Sequence, residues 1–277
     1  MATESPVWCI TGASSGFGRE IALQAVQRGH RVIATARDVS KISDIRQKGA
    51  LTLALDVSDA FDKLAEIAKS AIQEYQRVDY LINAAGYILE GAVEEAGSEE
   101  VQRQFAVSRE LLQNGDHRAT IAVFGSLGSW IGGASYAFYA MTKASMSSLA
   151  ESLKEELAPF DIRATVIEPG YFRTGFLNPG AKASTAERIP AYEDESTPSG
   201  QVRKGLEAHD GKQLGDVKKG VSVCVDILTS SGIAEGRELP LRVIIGSDCV
   251  DVIRKKCQST LELLDSWEEV SVTTDHA

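Results

Sequence analysis

Cysteine and histidine are scarce in this 277-residue chain, and neither is arranged for a metal. Cys9, Cys224, Cys249 and Cys257 form no C-x-x-C pair, and His30, His117, His209 and His276 lie far apart. That leaves no metal-ligand spacing, and a chain of this length needs no disulfide staples, so reduced thiols in the cytoplasm are the expectation. Positive charge is also in short supply. The 29 Lys and Arg against 39 Asp and Glu give a formal net charge of −10 and a pI near 5.0. Such a surface repels phosphate backbones and anionic lipid, which excludes nucleic acid as a partner. No apolar run approaches the ~18 residues of a transmembrane helix. The opening MATESP has neither the basic nor the apolar region of a signal peptide, so no membrane span and no export are expected. No internal repeat stands out.

What the sequence does contain is alternation. Short apolar runs at Val7–Thr11, Arg31–Ala36, Ala50–Leu55, Val78–Ile82, His117–Phe124, Ile162–Ile167 and Leu241–Ile245 read as strands. Helices are expected at Gly18–Arg28 and Ser40–Lys48, and most clearly over Phe61–Tyr75. There Phe61, Leu64, Ala65, Ala68, Ala71, Ile72 and Tyr75 share one face at a 3.6-residue period. Nearly continuous apolar strands separated by amphipathic helices predict a doubly wound α/β fold, a parallel sheet of about seven strands covered on both faces. Residues 1–277 read as a single domain. Within it, about 171–220 reads as a lid over substrate, its Pro-, Gly- and Ser-rich part from Asn178 onward irregular. About 270–277 reads as a flexible tail.

Three local patterns suggest chemistry. Directly after the first strand, Thr11-Gly12-Ala13-Ser14-Ser15-Gly16-Phe17-Gly18 opens into a helix. Glycines at such a turn let the backbone approach a pyrophosphate at the helix N-terminus, although they also serve tight packing alone. The second strand is followed by Arg37, a cation suited to a 2′-phosphate, or equally an ordinary surface partner of Asp38. Tyr139 and Lys143 stand at i and i+4 of an expected helix, with Ser126 before them at the end of the fifth strand. An adjacent ammonium lowers a phenol's pKa toward a range useful for proton transfer. Alone, Y-x-x-x-K is a weak pattern. Together, the three patterns fall at the carboxyl ends of strands, where doubly wound folds bind ligands.

In this order and spacing, from about Pro6 to Thr174, the chain resembles the short-chain dehydrogenase/reductase family. The similarity is to the compact single-domain branch that includes hydroxysteroid and retinol dehydrogenases, and in LINAAGYILEGA and IEPGYFRTGF to its fungal members. The resemblance makes TGASSGFG the cofactor turn, with Gly12, Ser14, Ser15, Gly16, Phe17 and Gly18. It assigns Asp56 to the adenine ring, Asn83 of N-A-A-G to the ribose side, and Ser126, Tyr139 and Lys143 to catalysis, the last two also touching the cofactor. Gly170, Phe172 and Thr174 fall at the nicotinamide end. Members with T-A-R after strand two tend to use NADP(H), so Arg37 implies NADP(H) in preference to NAD(H). The implied reaction is hydride transfer between nicotinamide and a carbonyl or alcohol. Tyr171, Phe172, Phe176 and Leu177 suggest an apolar wall for a bulky lipophilic substrate, or simply the packing of the lid. A secondary-metabolite intermediate follows from the fungal resemblance alone.

Two departures stand against the pattern. Ala84 replaces the second Asn of N-N-A-G. More seriously, the segment between Ser98 and Ser126 is about ten residues shorter than in family members, some 15 Å of helix at 1.5 Å per residue, with Ser108 where a catalytic-tetrad Asn would fall. A helix over roughly Ser98–Gln113 is what remains. This face carries the dimer contact of many members, so a homodimer is expected in weakened form. The alternative reading is a cofactor-binding protein with little or no catalysis. A sugar epimerase or dehydratase is disfavoured, because those chains have a different glycine spacing and a longer C-terminal domain.

Overall fold

The computed structural model describes residues 5–108, 119–178 and 182–276. Seven parallel strands form its central sheet: β1 (Val7–Ile10), β2 (Arg31–Ala36), β3 (Leu51–Ala54), β4 (Tyr80–Asn83), β5 (Thr120–Phe124), β6 (Arg163–Pro169) and β7 (Arg242–Ile245). Their spatial order is 3-2-1-4-5-6-7. The order reverses at β1, which pairs with β2 on one side and β4 on the other, so a crevice opens above their carboxyl ends.

Alternation along each strand sends side chains to two separate cores. Trp8 and Ile10 of β1 face the layer of α1 (Gly16–Gln27) and α8 (Val217–Thr229), joining Ile21, Ala25, Val221 and Leu228. Val7 and Cys9 face the opposite layer with Ala71 of α3 (Phe61–Tyr75). Further along the sheet, Leu81, Ile121 and Val166 pack on Ala150 of α5 (Ala137–Leu157). This is the single α/β domain that the strand pattern implies.

The differences lie at the edges of the elements and in the second half of the chain. The expected 40–48 helix is a 3-10 turn, Val39–Ile42, followed by α2 (Ser43–Gln47), because Asp38 accepts from the Ser40 N–H and caps the tighter turn first. The helix before β5 is α4 (Ser98–Ser108); its expected continuation to Gln113, and the shortening itself, lie outside the described residues. Among the described residues, the segment from 182 to 220 is not irregular. It contains α6 (Pro190–Glu193), α7 (Pro198–His209, with Thr197 accepting from the Gly200 N–H as cap) and two short parallel pairings, Ala183–Ser184 with Leu89–Glu90 and Gly215–Asp216 with Phe172–Arg173. At the C-terminal end the described residues include the last helix, α9 (Ser247–Ser271), and a 3-10 turn at Val272–Thr274.

Candidate active site

A cleft of about 690 Å³ runs over the carboxyl ends of β1, β2, β4, β5 and β6, a size suited to a ligand larger than a typical metabolite. Its floor is built from the first loop. Gly12 has φ +64°, and a Cβ there would fall 2.7 Å from the Ala85 Cα; a Cβ on Gly18 would fall 2.7 Å from the Gly12 carbonyl oxygen. Any side chain would therefore push the loop off β4 or off its own helix. The Thr11 hydroxyl oxygen accepts from the N–H groups of Ala84 and Ala85, each at 3.2 Å, joining the two strand ends. Ser15 enters α1 in an extended conformation without a side-chain cap, and the first turn carries no acid. The amide groups and positive dipole end of α1 are thus directed at the cleft without a competing carboxylate. Gly12, Ser14, Ser15, Gly16 and Phe17 line the cleft, whereas Gly18 lies behind it.

At one end Arg37, exposed, stands with Asp56. Hydrogen bonding by Ser58 holds the Asp56 carboxyl below the usual range, with the Arg37 charge adding to it; the Ser58 hydroxyl is 2.6 Å from Asp56 Oδ1. Asp38 accepts from the Ser40 hydroxyl at 2.6 Å and caps its own turn. Asn83 is buried under the cleft rather than in its wall, with its Oδ1 lacking a hydrogen-bond partner.

At the other end Ser126, Tyr139 and Lys143 come together. Ser126 caps a 3-10 turn, accepting from the Gly128 N–H at 3.1 Å, and its hydroxyl is hydrogen-bonded to that of Tyr139. Ser129 joins the two elements, its hydroxyl accepting from the Ser126 N–H at 3.1 Å and donating to the Lys143 carbonyl at 2.8 Å. The buried Lys143 ammonium donates to the Phe124 carbonyl at 2.9 Å and lies 5.6 Å from the centre of the Tyr139 ring. In this site burial outweighs the other influences on the phenol and pushes Tyr139 up to about 12, the Ser126 hydrogen bond acting in the opposite direction. The lowering expected from Lys143 is thus not what the free site shows. Tyr139 borders the cleft and is half-buried.

The wall beyond Tyr139 is largely aromatic. Phe176 lies 5.9 Å from it between ring centres, and Phe172 meets Phe17 edge-on at 5.1 Å. Gly170, Phe172 and Thr174 line the same end, with Tyr171 and Leu177. Thr174 Oγ1 accepts from the Phe176 N–H at 3.3 Å, which keeps the turn over the cleft. Tyr136, Lys182, Leu206 and Gln213 also line the cleft and were not anticipated. Tyr136 was within reach of sequence reasoning, one turn before Tyr139; the other three arrive through the fold of the 178–220 segment. Ser129 too could have been found, three residues after Ser126.

Comparison with known proteins agrees with this construction. The short chain dehydrogenase family profile matches residues 6–184. The chain is similar to the oxidoreductase BOA17 of Botryotinia fuckeliana, at 28% identity with 97% of this chain and 98% of that protein covered. It is similar in structure to a short-chain dehydrogenase from Streptomyces avermitilis, with a TM-score of 0.86, 33% identity and coverage of 99% and 100%. A Burkholderia phymatum member solved in complex with NAD shares the fold at a TM-score of 0.74 and 19% identity, over 92% of this chain and 93% of that one. A matched profile over more than half the chain, on a sheet of this order with its glycine cradle at the switch point, makes this protein a member of the short-chain dehydrogenase/reductase family, a nicotinamide-dependent oxidoreductase.

Proposed function

We propose that the protein is an NADP(H)-dependent reductase, or the reverse dehydrogenase, of a lipophilic carbonyl or alcohol. The observation that carries the reading is the convergence of the Ser126–Tyr139 hydroxyl pair and Lys143 on the end of the cleft opposite Arg37. The residues present fit a dinucleotide: Gly12 admits a close backbone approach, α1 offers uncapped amides, and Arg37 supplies a cation at the far end. When bound, the nicotinamide would supply or accept the hydride. Gly12, Ser14, Ser15, Gly16 and Phe17 would bind its pyrophosphate, Gly18 would hold that loop in shape, and Asp56 would meet the adenine. Asn83 would support the ribose side from below. Gly170, Phe172 and Thr174 would border the nicotinamide.

The chain's own groups then perform the acid–base work. Ser126 and Tyr139 would both donate to the substrate oxygen, where charge develops only as hydride arrives. At neutral pH a phenol at about 12 is protonated, as a proton donor in reduction must be. The burial that raises it also makes it a weaker acid that needs the Lys143 charge beside it. Lys143, fixed on the Phe124 carbonyl, places its positive charge behind the ring and stabilises the phenolate left after transfer. Tyr171, Phe176 and Leu177 would form the apolar wall for a bulky substrate, and 171–220 the lid. A secondary-metabolite intermediate as the substrate rests on the resemblance to fungal members alone, and the four free cysteines support a cytoplasmic setting. Every group named belongs to one chain.

The test is Tyr139→Phe. Loss of the proton donor should lower turnover of NADPH with a responsive ketone by roughly 10²–10⁴-fold while NADPH affinity changes less than about threefold. Unchanged turnover would overturn the assignment. Tight NADPH binding by the wild type, with no turnover over a broad carbonyl panel, would instead identify a cofactor-binding protein of this fold without catalysis.

A further inference from the structure

The last helix, α9, is packed at one end and bare at the other. Cys249 and Ile253 are buried against Leu127, Trp130 and Ile244. From Arg254 to residue 276 every residue is exposed, so about 27 Å of helix, at 1.5 Å per residue up to Ser271, stands clear of the domain. Its apolar stripe does not stop where the contacts stop. Cys257, Thr260, Leu264, Trp267 and Ser271 continue the line of Cys249 and Ile253 at spacings of three and four, with Leu263 and Val270 beside it. Leu261, Leu263, Leu264, Trp267 and Val270 are each 55–59% exposed. An isolated helix of this length is marginal in water, and an amphipathic one is normally held by whatever covers its apolar face.

Charge along the helix selects the cover. Its first exposed turn is basic, with Arg254, Lys255 and Lys256, and its last turns are acidic, with Glu262, Asp265, Glu268 and Glu269. Arg254 and Glu268 stand equally far from Leu261 on either side. A second copy laid antiparallel and centred near Leu261 places the basic turn of each helix alongside the acidic turns of the other. Parallel pairing would set like charges together. The acidic half also repels an anionic membrane surface. We propose that the projecting half of α9 is a self-association surface, pairing antiparallel with α9 of a second copy across Leu261, Leu264 and Trp267.

The experiment is sedimentation of the full-length protein at about 1–50 µM, followed by disulfide trapping. The wild type should sediment as a dimer. Leu264→Asp combined with Trp267→Asp should sediment as a monomer with unchanged NADPH binding, since these side chains lie outside the domain. Lys255→Glu with Lys256→Glu should weaken the dimer by at least about tenfold, and adding Glu268→Lys with Glu269→Lys should restore it. Under oxidation, Leu261→Cys in a Cys257→Ser background should cross-link two chains. A monomeric wild type, a dimer that survives Leu264→Asp with Trp267→Asp, or cross-linking through native Cys257 in place of Leu261→Cys would overturn the proposal. Flotation of a monomeric wild type with phosphatidylcholine vesicles would assign the face to a lipid surface.

Discussion

At Tyr139 two influences oppose each other, and the sequence displays only one of them. The i, i+4 spacing from Tyr139 to Lys143 is a local property of a helix, so their shared face was legible, as was Ser126 at a strand end. Burial is not local. It comes from the 3-10 turn under the ring and from Phe176 beside it, and it pushes the phenol's pKa up. The same distinction holds at Arg37. Its position after β2 was legible, but the choice between Asp38 and a ligand was not, because it turns on Ser40 engaging Asp38. With Asp38 so engaged and Arg37 exposed at the cleft, Arg37→Ala should weaken NADPH binding by roughly 10–100-fold, the loss of one charge-assisted phosphate contact. It should leave NADH binding nearly unchanged. Titration of both cofactors by fluorescence checks this, and equal losses for the two would show that Arg37 does not read the 2′-phosphate.

The elements over the cleft are held by an ion-pair network that no local pattern announces. Glu90 and Glu95, both buried, face Lys182, Arg188 and Arg203 from the 182–203 segment. Glu90 is 3.0 Å from Lys182, 3.0 Å from Arg188 and 2.9 Å from Arg203, and Glu95 accepts from the Ile189 N–H at 2.9 Å. The partners are about ninety or more residues apart in the chain, which is why the composition of 178–220 read as irregular. Burial pushes the Glu90 carboxyl up, but the hydrogen bonds and charges of Arg188 and Lys182 outweigh it and bring it down to about 2. Its contribution to stability is therefore complete above the ordinary value of 4.5 and is lost as pH falls from there toward 2. At pH 7 Glu90→Gln should destabilise the fold by on the order of 3 kcal/mol, read by denaturant unfolding. The variant should also lose part of the wild type's decline in stability between about pH 5 and pH 3. A variant as stable as the wild type, with the same acid dependence, would show that the network does not hold these elements.

For the whole molecule, the central sheet was the legible part, because strands buried on both faces are written as apolar runs and helices that cover them as 3.6-residue stripes. α9 was not read at all. The polar Thr260 and Ser271 fall on its stripe, and its outer half has no partner among the described residues, so its apolar positions do not resemble a core helix. The stretch 109–118 remains an expectation from sequence alone. The reading of the molecule as a hydride-transfer enzyme gathers the glycine cradle, Arg37 and the Ser126–Tyr139–Lys143 end into one cleft, and it is tested most directly by following the hydride itself. The protein would be incubated with a bulky lipophilic ketone and NADPH deuterated at the nicotinamide C4 position, in separate reactions with each C4 epimer, and the product analysed by mass spectrometry and NMR. The account predicts an alcohol carrying one deuterium on the carbinol carbon from one epimer only. An alcohol whose new carbon-bound hydrogen comes from solvent, or deuterium retained on the cofactor from both epimers while product forms, would contradict it.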